Sequence, residues 1–149
     1  MPVVRGCELP DELLYDVANN IWYRENGDGT VTLGMTAVAA AMAGPLVAFT
    51  PKKAGRSVNE GKSCATVESG KWVGPAKIAF DAEIVEVNED LVADPKKAGP
   101  SPYGEGWLVR VSPVDWETAK TRLTPGTAVA VPYEAKMAAD EFAGCEELA

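Results

Sequence analysis

Lys71 is the residue whose setting most suggests chemistry. It stands in Glu68-Ser69-Gly70-Lys71-Trp72, where two strand-like runs, Lys62 to Ser69 and Lys71 to Phe80, meet at a Ser-Gly turn. A lysine at the tip of a tight hairpin stays protonated near its reference pKa of about 10.4 and is a poor nucleophile. It is, however, what an enzyme needs in order to acylate one chosen lysine among many. An exposed turn also carries lysine for solubility, and the spacing alone leaves both readings open.

Little else offers conventional catalysis. Histidine is absent, which removes imidazole acid–base work, Ser-His and Cys-His nucleophile pairs, and zinc sites that need imidazole. The three cysteines, Cys7, Cys64 and Cys145, are odd in number and scattered, so no disulfide framework and no Cys-x-x-Cys metal site is expected. Gly55 to Ser63, GRSVNEGKS, imitates a phosphate-binding loop, but it has five residues where that loop needs four, one of them Glu60, and no long helix follows. It reads as an exposed basic turn. A net charge of −8 makes the phosphate backbone of a nucleic acid a poor partner.

The elements that must hold Lys71 follow from the punctuation. A length of 149 residues with 46% apolar and 24% charged side chains suits one folded domain, 1–149. NIWYREN and TVTLG form a hairpin around Gly27-Asp28-Gly29, and Thr36 caps a short helix, AVAAAMA, stopped by Gly44-Pro45. PLVAFT, the hairpin near 64–80, AEIVEVN and GWLVRVSP read as strands, and EDLVAD as one helical turn. Helices are expected across 116–148, the second from Tyr133 to Leu148 with Tyr133, Met137, Phe142, Cys145 and Leu148 on one face. The fold class is therefore mostly β, largely antiparallel, with C-terminal helices. The charged N-terminus has no signal-peptide core, and the longest charge-free run, Thr36 to Pro51, falls short of the roughly 20 apolar residues of a membrane span. The expected location is the cytoplasm, without membrane insertion.

From Asn19 to Trp116 the chain resembles the H-protein of the glycine cleavage system, a lipoyl-carrier family. GDGTVTLGMT, CATVESGK, AEIVEVNEDLVADP and SPYGEGWLVRV match its blocks in order. The resemblance implies a flattened β-barrel, a barrel-sandwich hybrid of the lipoyl-domain type, with short helices. It also implies lipoate in amide linkage to Lys71, with Glu68 helping the lipoylating enzyme choose that lysine. The protein is then a carrier and not an enzyme, and its partners are a lipoate-attaching ligase or synthase and the enzymes that load and unload the arm. Lipoamide dehydrogenase is a further possible partner.

The chain departs from the ordinary family pattern in lacking its early histidine, where Ala37-Val38-Ala39 stands, and in running Trp72-Val73-Gly74-Pro75 after the lysine. Trp72 beside the arm either shields the dithiolane or simply closes the barrel rim, and Gly70 adjoins it in the turn. The N-terminal RGCELP and the additional cysteines resemble a divergent branch of lipoate-binding proteins that works with heterodisulfide-reductase-like complexes and sulfur-transfer proteins in sulfur oxidation. On that resemblance the arm carries sulfur-containing intermediates; the alternative is the aminomethyl group of glycine cleavage. Cys7 and Cys145 either approach the arm and form a mixed disulfide with it, or Cys145 is a small apolar core residue on its helix. Cys64 reads as core.

Overall fold

The computed structural model describes residues 3–145. In chain order the strands are β1 (Val3–Val4), β2 (Cys7–Glu8), β3 (Leu14–Asp16), β4 (Ile21–Glu25), β5 (Val31–Met35), β6 (Leu46–Pro51), β7 (Ser57–Val58), β8 (Ser63–Ser69), β9 (Val73–Lys77), β10 (Ala82–Val87), β11 (Val109–Pro113) and β12 (Thr124–Pro125). The helices are α1 (Ala37–Ala43), α2 (Glu89–Ala93), α3 (Trp116–Ala119) and α4 (Ala130–Ala139). One sheet runs β12-β3-β4-β5-β11-β10-β7, a second runs β6-β8-β9, and β1-β2 is a separate hairpin. Every strand pairing among the described residues is antiparallel. This is the expected mostly-β barrel-sandwich with short helices.

The two larger sheets enclose one apolar cluster, to which Tyr23, Leu33, Phe49, Val67, Phe80 and Ile84 contribute. Strand β4 explains why its sequence, Ile-Trp-Tyr, is continuously apolar. Ile21 and Tyr23 face that cluster, whereas Trp22 points to the opposite face, into a second cluster with Leu9, Tyr15, Val38, Tyr133 and Met137. The second cluster is built from the two ends of the chain folded over the outside of the larger sheet.

The segments AEIVEVNEDLVADP and SPYGEGWLVRV are joined by hydrogen bonds. Asn88, 4% exposed, caps α2 by accepting from the Leu91 N–H and donates through Nδ2 to the Glu105 and Trp107 carbonyls, each at 2.8 Å. Gly106 has no room for a side chain, since a Cβ there would lie 2.8 Å from Ala98 Cα and the Ser101 carbonyl oxygen. The Tyr103 hydroxyl donates to the Glu8 carbonyl at 2.6 Å and accepts from the Ala37 N–H at 2.9 Å, tying the N-terminal segment to the start of α1.

Two expectations are corrected here. The last helix does not run from Tyr133 to Leu148: α4 spans Ala130–Ala139, with Pro132 in its first turn, where no N–H bond is lost. Glu141 takes φ 55° and Gly144 φ 137°, which bends the tail back so that the Cys145 N–H reaches the Arg5 carbonyl at 2.9 Å. Phe142 and Cys145 therefore pack on the second cluster from a non-helical tail, and Leu148 lies outside the described residues. The second correction concerns the cysteines. Cys7 and Cys145 form a disulfide with Cα atoms 5.1 Å apart, so the expectation of no bridge fails, as does the reading of Cys145 as a helical core residue. Arg5 reinforces the junction by pairing with Glu134 at 2.9 Å and donating to the Phe142 carbonyl at 2.8 Å.

Burial pushes the phenols of all four tyrosines, Tyr15, Tyr23, Tyr103 and Tyr133, above their ordinary range. A raised folded-state value favours the neutral form, so this contribution is complete below the unfolded value of about 10 and is lost as pH rises above it. Stability to urea is expected to fall above about pH 10. Phenolate absorbance should then appear together with unfolding and not before it.

Candidate functional site

The β8–β9 hairpin turns over Ser69-Gly70-Lys71-Trp72, as the sequence indicated. Alternation along β8 places Ala65 and Val67 in the core and Thr66 and Glu68 on the exposed face, while Cys64, beside the register shift between Ser63 and Ala65, is buried out of that phase. Ser69 locks the turn: its N–H donates to the Trp72 carbonyl at 2.7 Å, and its buried hydroxyl accepts from the Lys71 N–H at 3.3 Å. Gly70 is open on all sides, with nothing within 4 Å of where a Cβ would sit. The Lys71 side chain is exposed and makes no ion pair among the described residues. Its Cε runs 3.5 Å from where a Cβ on Gly44 would be, so the lysine lies across the end of α1, which Thr36 caps at the other end.

Two clefts open from Lys71, one on each side of α1. The first, about 620 Å³, is lined by Asn20, Met35, Met42, Trp72, Ala76 and Lys77 among others. Among the described residues no carboxylate lines it. The Asn20 side-chain oxygen is buried there without a hydrogen-bond partner, on a backbone of φ 57°. The second cleft, about 680 Å³, is lined among others by Gly6, Glu8, Lys96, Tyr103 and Cys145. Lys71 belongs to both.

Glu68, Gly70, Lys71 and Trp72 sit together at the hairpin tip. Trp72 is 45% exposed and folds back over Gly74, whose missing side chain makes room for the indole. Cys7 and Cys145 lie across α1, with Cys145 on the wall of the second cleft and Cys7 fully buried behind it. Asn20 was missed by sequence reasoning. Its signal was weak, an Asn-Asn pair before an apolar strand, which reads as an ordinary turn. Among the described residues no group of histidine, cysteine and carboxylate side chains could hold a metal ion, and no helix is long and apolar enough to cross a membrane.

Cys64 is fully buried, and burial pushes its thiol up to about 12. With the other two cysteines bonded, the native protein is expected to show no thiol reactive toward a disulfide reagent. One should appear on denaturation and three after denaturation with reductant, out of three cysteines in the chain. Opening the bridge is expected to cost about 2–4 kcal/mol of stability, read from the urea midpoint with and without reductant. Three thiols without reductant would show that the bridge is not formed.

Comparison with known proteins places this geometry in context. A family model described as Glycine cleavage H-protein matches residues 13–135. A protein of Aquifex aeolicus named Glycine cleavage system H protein 5 is 50% identical over 134 residues, covering 87% of this chain and 90% of the relative. A Probable glycine cleavage system H protein 2 of Sulfurisphaera tokodaii is 38% identical, over 87% and 88% of the two chains. The crystal structure of a glycine cleavage system H protein from Mycobacterium marinum superposes with a TM-score of 0.72 at 33% identity, covering 87% of this chain and 98% of that one.

Proposed function

Since the chain belongs to the glycine cleavage H-protein family, whose members carry lipoate covalently on a lysine, we propose that Lys71 is the lipoylated residue and that the protein is a carrier for partner enzymes. The observation that carries this reading is the lysine's placement: exposed, without an ion pair among the described residues, on a rigid turn at the mouth of two clefts. The residues suit the group, because the Lys71 methylenes lie against Gly44 and the first cleft offers Met35, Met42 and Trp72 to an apolar chain. When bound, lipoate supplies a dithiolane that takes up and releases a group by thiol–disulfide exchange. Ser69 fixes the turn, Gly70 leaves its outer side open to the attaching enzyme, and exposed Glu68 offers that enzyme a carboxylate on the adjoining strand.

For the cargo, the names of the relatives favour the aminomethyl group of glycine cleavage over the sulfur-oxidation reading ranked first from sequence. The partners are then a lipoate ligase and the glycine cleavage enzymes. One observation favours the sulfur reading. An aminomethyl amine is cationic at neutral pH, and the second cleft offers it Glu8, whereas the first holds Lys77 and, among the described residues, no carboxylate, so an arm lying in the first cleft meets no counter-charge. A neutral or sulfur-bearing cargo meets no such conflict, and heterodisulfide-reductase-like and sulfur-transfer proteins would then be the partners.

The test is peptide mass spectrometry of the protein from its native host, followed by incubation of the lipoylated form with glycine and a glycine decarboxylase. A lipoyl mass on the Lys71 peptide and a further aminomethyl increment support the glycine reading. A lipoyl mass with a sulfur adduct and no aminomethyl loading supports the second. Lys71 left unmodified in cells that lipoylate their other carriers overturns both.

A further inference from the structure

The disulfide on the wall of the second cleft has no part in the reading above. We propose that Cys7–Cys145 is an internal redox partner of the arm on Lys71, exchanging two electrons with it within one molecule. This rests on the assignment of the arm to Lys71.

Three observations support it. Lys71 and Cys145 line the same cleft of about 680 Å³, so the arm reaches the bridge without leaving the surface. The two sulfurs are unequal: Cys7 is 0% exposed, whereas Cys145 is half-buried on the cleft wall, its Sγ 3.6 Å from the Ala37 carbonyl oxygen. An incoming thiolate therefore meets Cys145, and Cys7 is the leaving group. Finally, the junction is held by contacts other than the bridge. The Cys145 N–H bonds the Arg5 carbonyl, Arg5 pairs with Glu134, β2 pairs with β1, and the Tyr103 hydroxyl donates to Glu8. The two thiols stay neighbours when the bond opens, which makes the exchange reversible.

In the exchange, Cys145 Sγ gains a bond to one arm thiolate as the Cys7–Cys145 bond breaks, and Cys7 leaves as a thiolate and takes up a proton. The second arm thiolate then attacks the arm sulfur bonded to Cys145, releasing Cys145 as a thiolate that takes up the second proton. The arm loses two electrons and two protons and closes its ring; the cysteine pair gains both. No outside oxidant is needed for the step, and its reverse uses the same atoms.

The experiment uses the full chain lipoylated in vitro by a lipoate ligase and checked by intact mass. A chain that takes no lipoyl mass at Lys71 indicts the carrier assignment, a failure separable from that of this inference. The lipoylated protein receives one equivalent of a phosphine reductant, is quenched at intervals with excess N-ethylmaleimide, and its alkylated peptides are quantified without reduction. The expected result is redistribution of thiols between the arm and the Cys7/Cys145 pair at a rate independent of protein concentration. That rate should be about 100-fold or more above Lys71→Arg protein mixed with micromolar free dihydrolipoamide, since a tether supplies millimolar effective concentration. Electrons that stay on the pair first reduced, or that move no faster than in that control, overturn the proposal. Lipoylated Cys7→Ser protein should yield a peptide cross-linking Lys71 to Cys145, and its absence from folded protein also counts against the exchange. Should that variant not fold, the wild-type time course decides alone.

Discussion

Lys71→Arg protein is expected to fold as the wild type does and to lose all lipoylation and all carrier activity. Arginine keeps the charge and most of the length, but a guanidinium is not acylated by a lipoate-attaching enzyme. The turn does not depend on the lysine side chain: its bonds come from Ser69 and from the backbone of Lys71 and Trp72. The exposed side chain makes no ion pair among the described residues, so the change in stability should stay within about 0.5 kcal/mol. Intact mass after incubation with a lipoate ligase reads the first effect and a urea midpoint the second. A lipoyl mass retained on the variant would place the arm on another lysine and undo the site assignment.

Trp22→Ala is the opposite case, with a site effect that arrives through the fold. Trp22 is fully buried on the outer face of β4 and lies so close to Gly34 that a Cβ there would be 2.7 Å from the indole. Its Nε1 donates to the Pro102 carbonyl at 3.0 Å, the Arg24 guanidinium lies 4.8 Å over the ring, and Tyr103 sits at a 6.0 Å centroid distance. Truncation opens a large cavity and leaves the Pro102 carbonyl without that bond, so a loss of about 3–5 kcal/mol is expected. The urea midpoint should drop with the slope unchanged. Pro102 and Tyr103 line the second cleft, so that wall should loosen while the Lys71 turn keeps its own hydrogen bonds. Lipoylation should therefore survive in whatever fraction remains folded, and its loss there would show that the two walls are coupled.

What was legible in the sequence is what local chemistry dictates. Thr36 and Gly44 bound α1 because a hydroxyl cap and a positive-φ glycine, φ 79°, are local requirements. Gly27 and Gly29, both at positive φ, close the β4–β5 hairpin, and the Ser69-Gly70 turn presents Lys71. In the phosphate-loop imitation, Gly55 and Gly61 are positive-φ turn residues on either side of the two-residue strand β7. What was not legible depends on distant partners. Strands β1 to β3 are only two or three residues long, too short for alternation to register in the sequence, and their buried residues Val4, Cys7 and Tyr15 pack with Tyr133 and Met137 from the other end of the chain. The apolar spacing of Tyr133, Met137, Phe142 and Cys145 imitates a long helix, since a folded-back tail can meet the same cluster as the helix before it. A bridge between residues 138 positions apart leaves no trace in spacing. Trp22 and Gly34 constrain one another across two strands, which a reading of either strand alone cannot reveal.

The Cys7–Cys145 bridge also alters how the protein responds to mechanical load. Pulled from outside the bridge, the chain transmits force from the segment before Cys7 straight through the sulfur bond to the segment after Cys145, bypassing the larger sheets between. An ATP-driven unfoldase engaging either end of the oxidised protein meets a covalent ring and must thread two strands at once. The reduced protein presents a single thread whose first elements to peel are the short β1–β2 hairpin and the tail beyond α4. Degradation by such a machine would then depend on the oxidation state of this one bond.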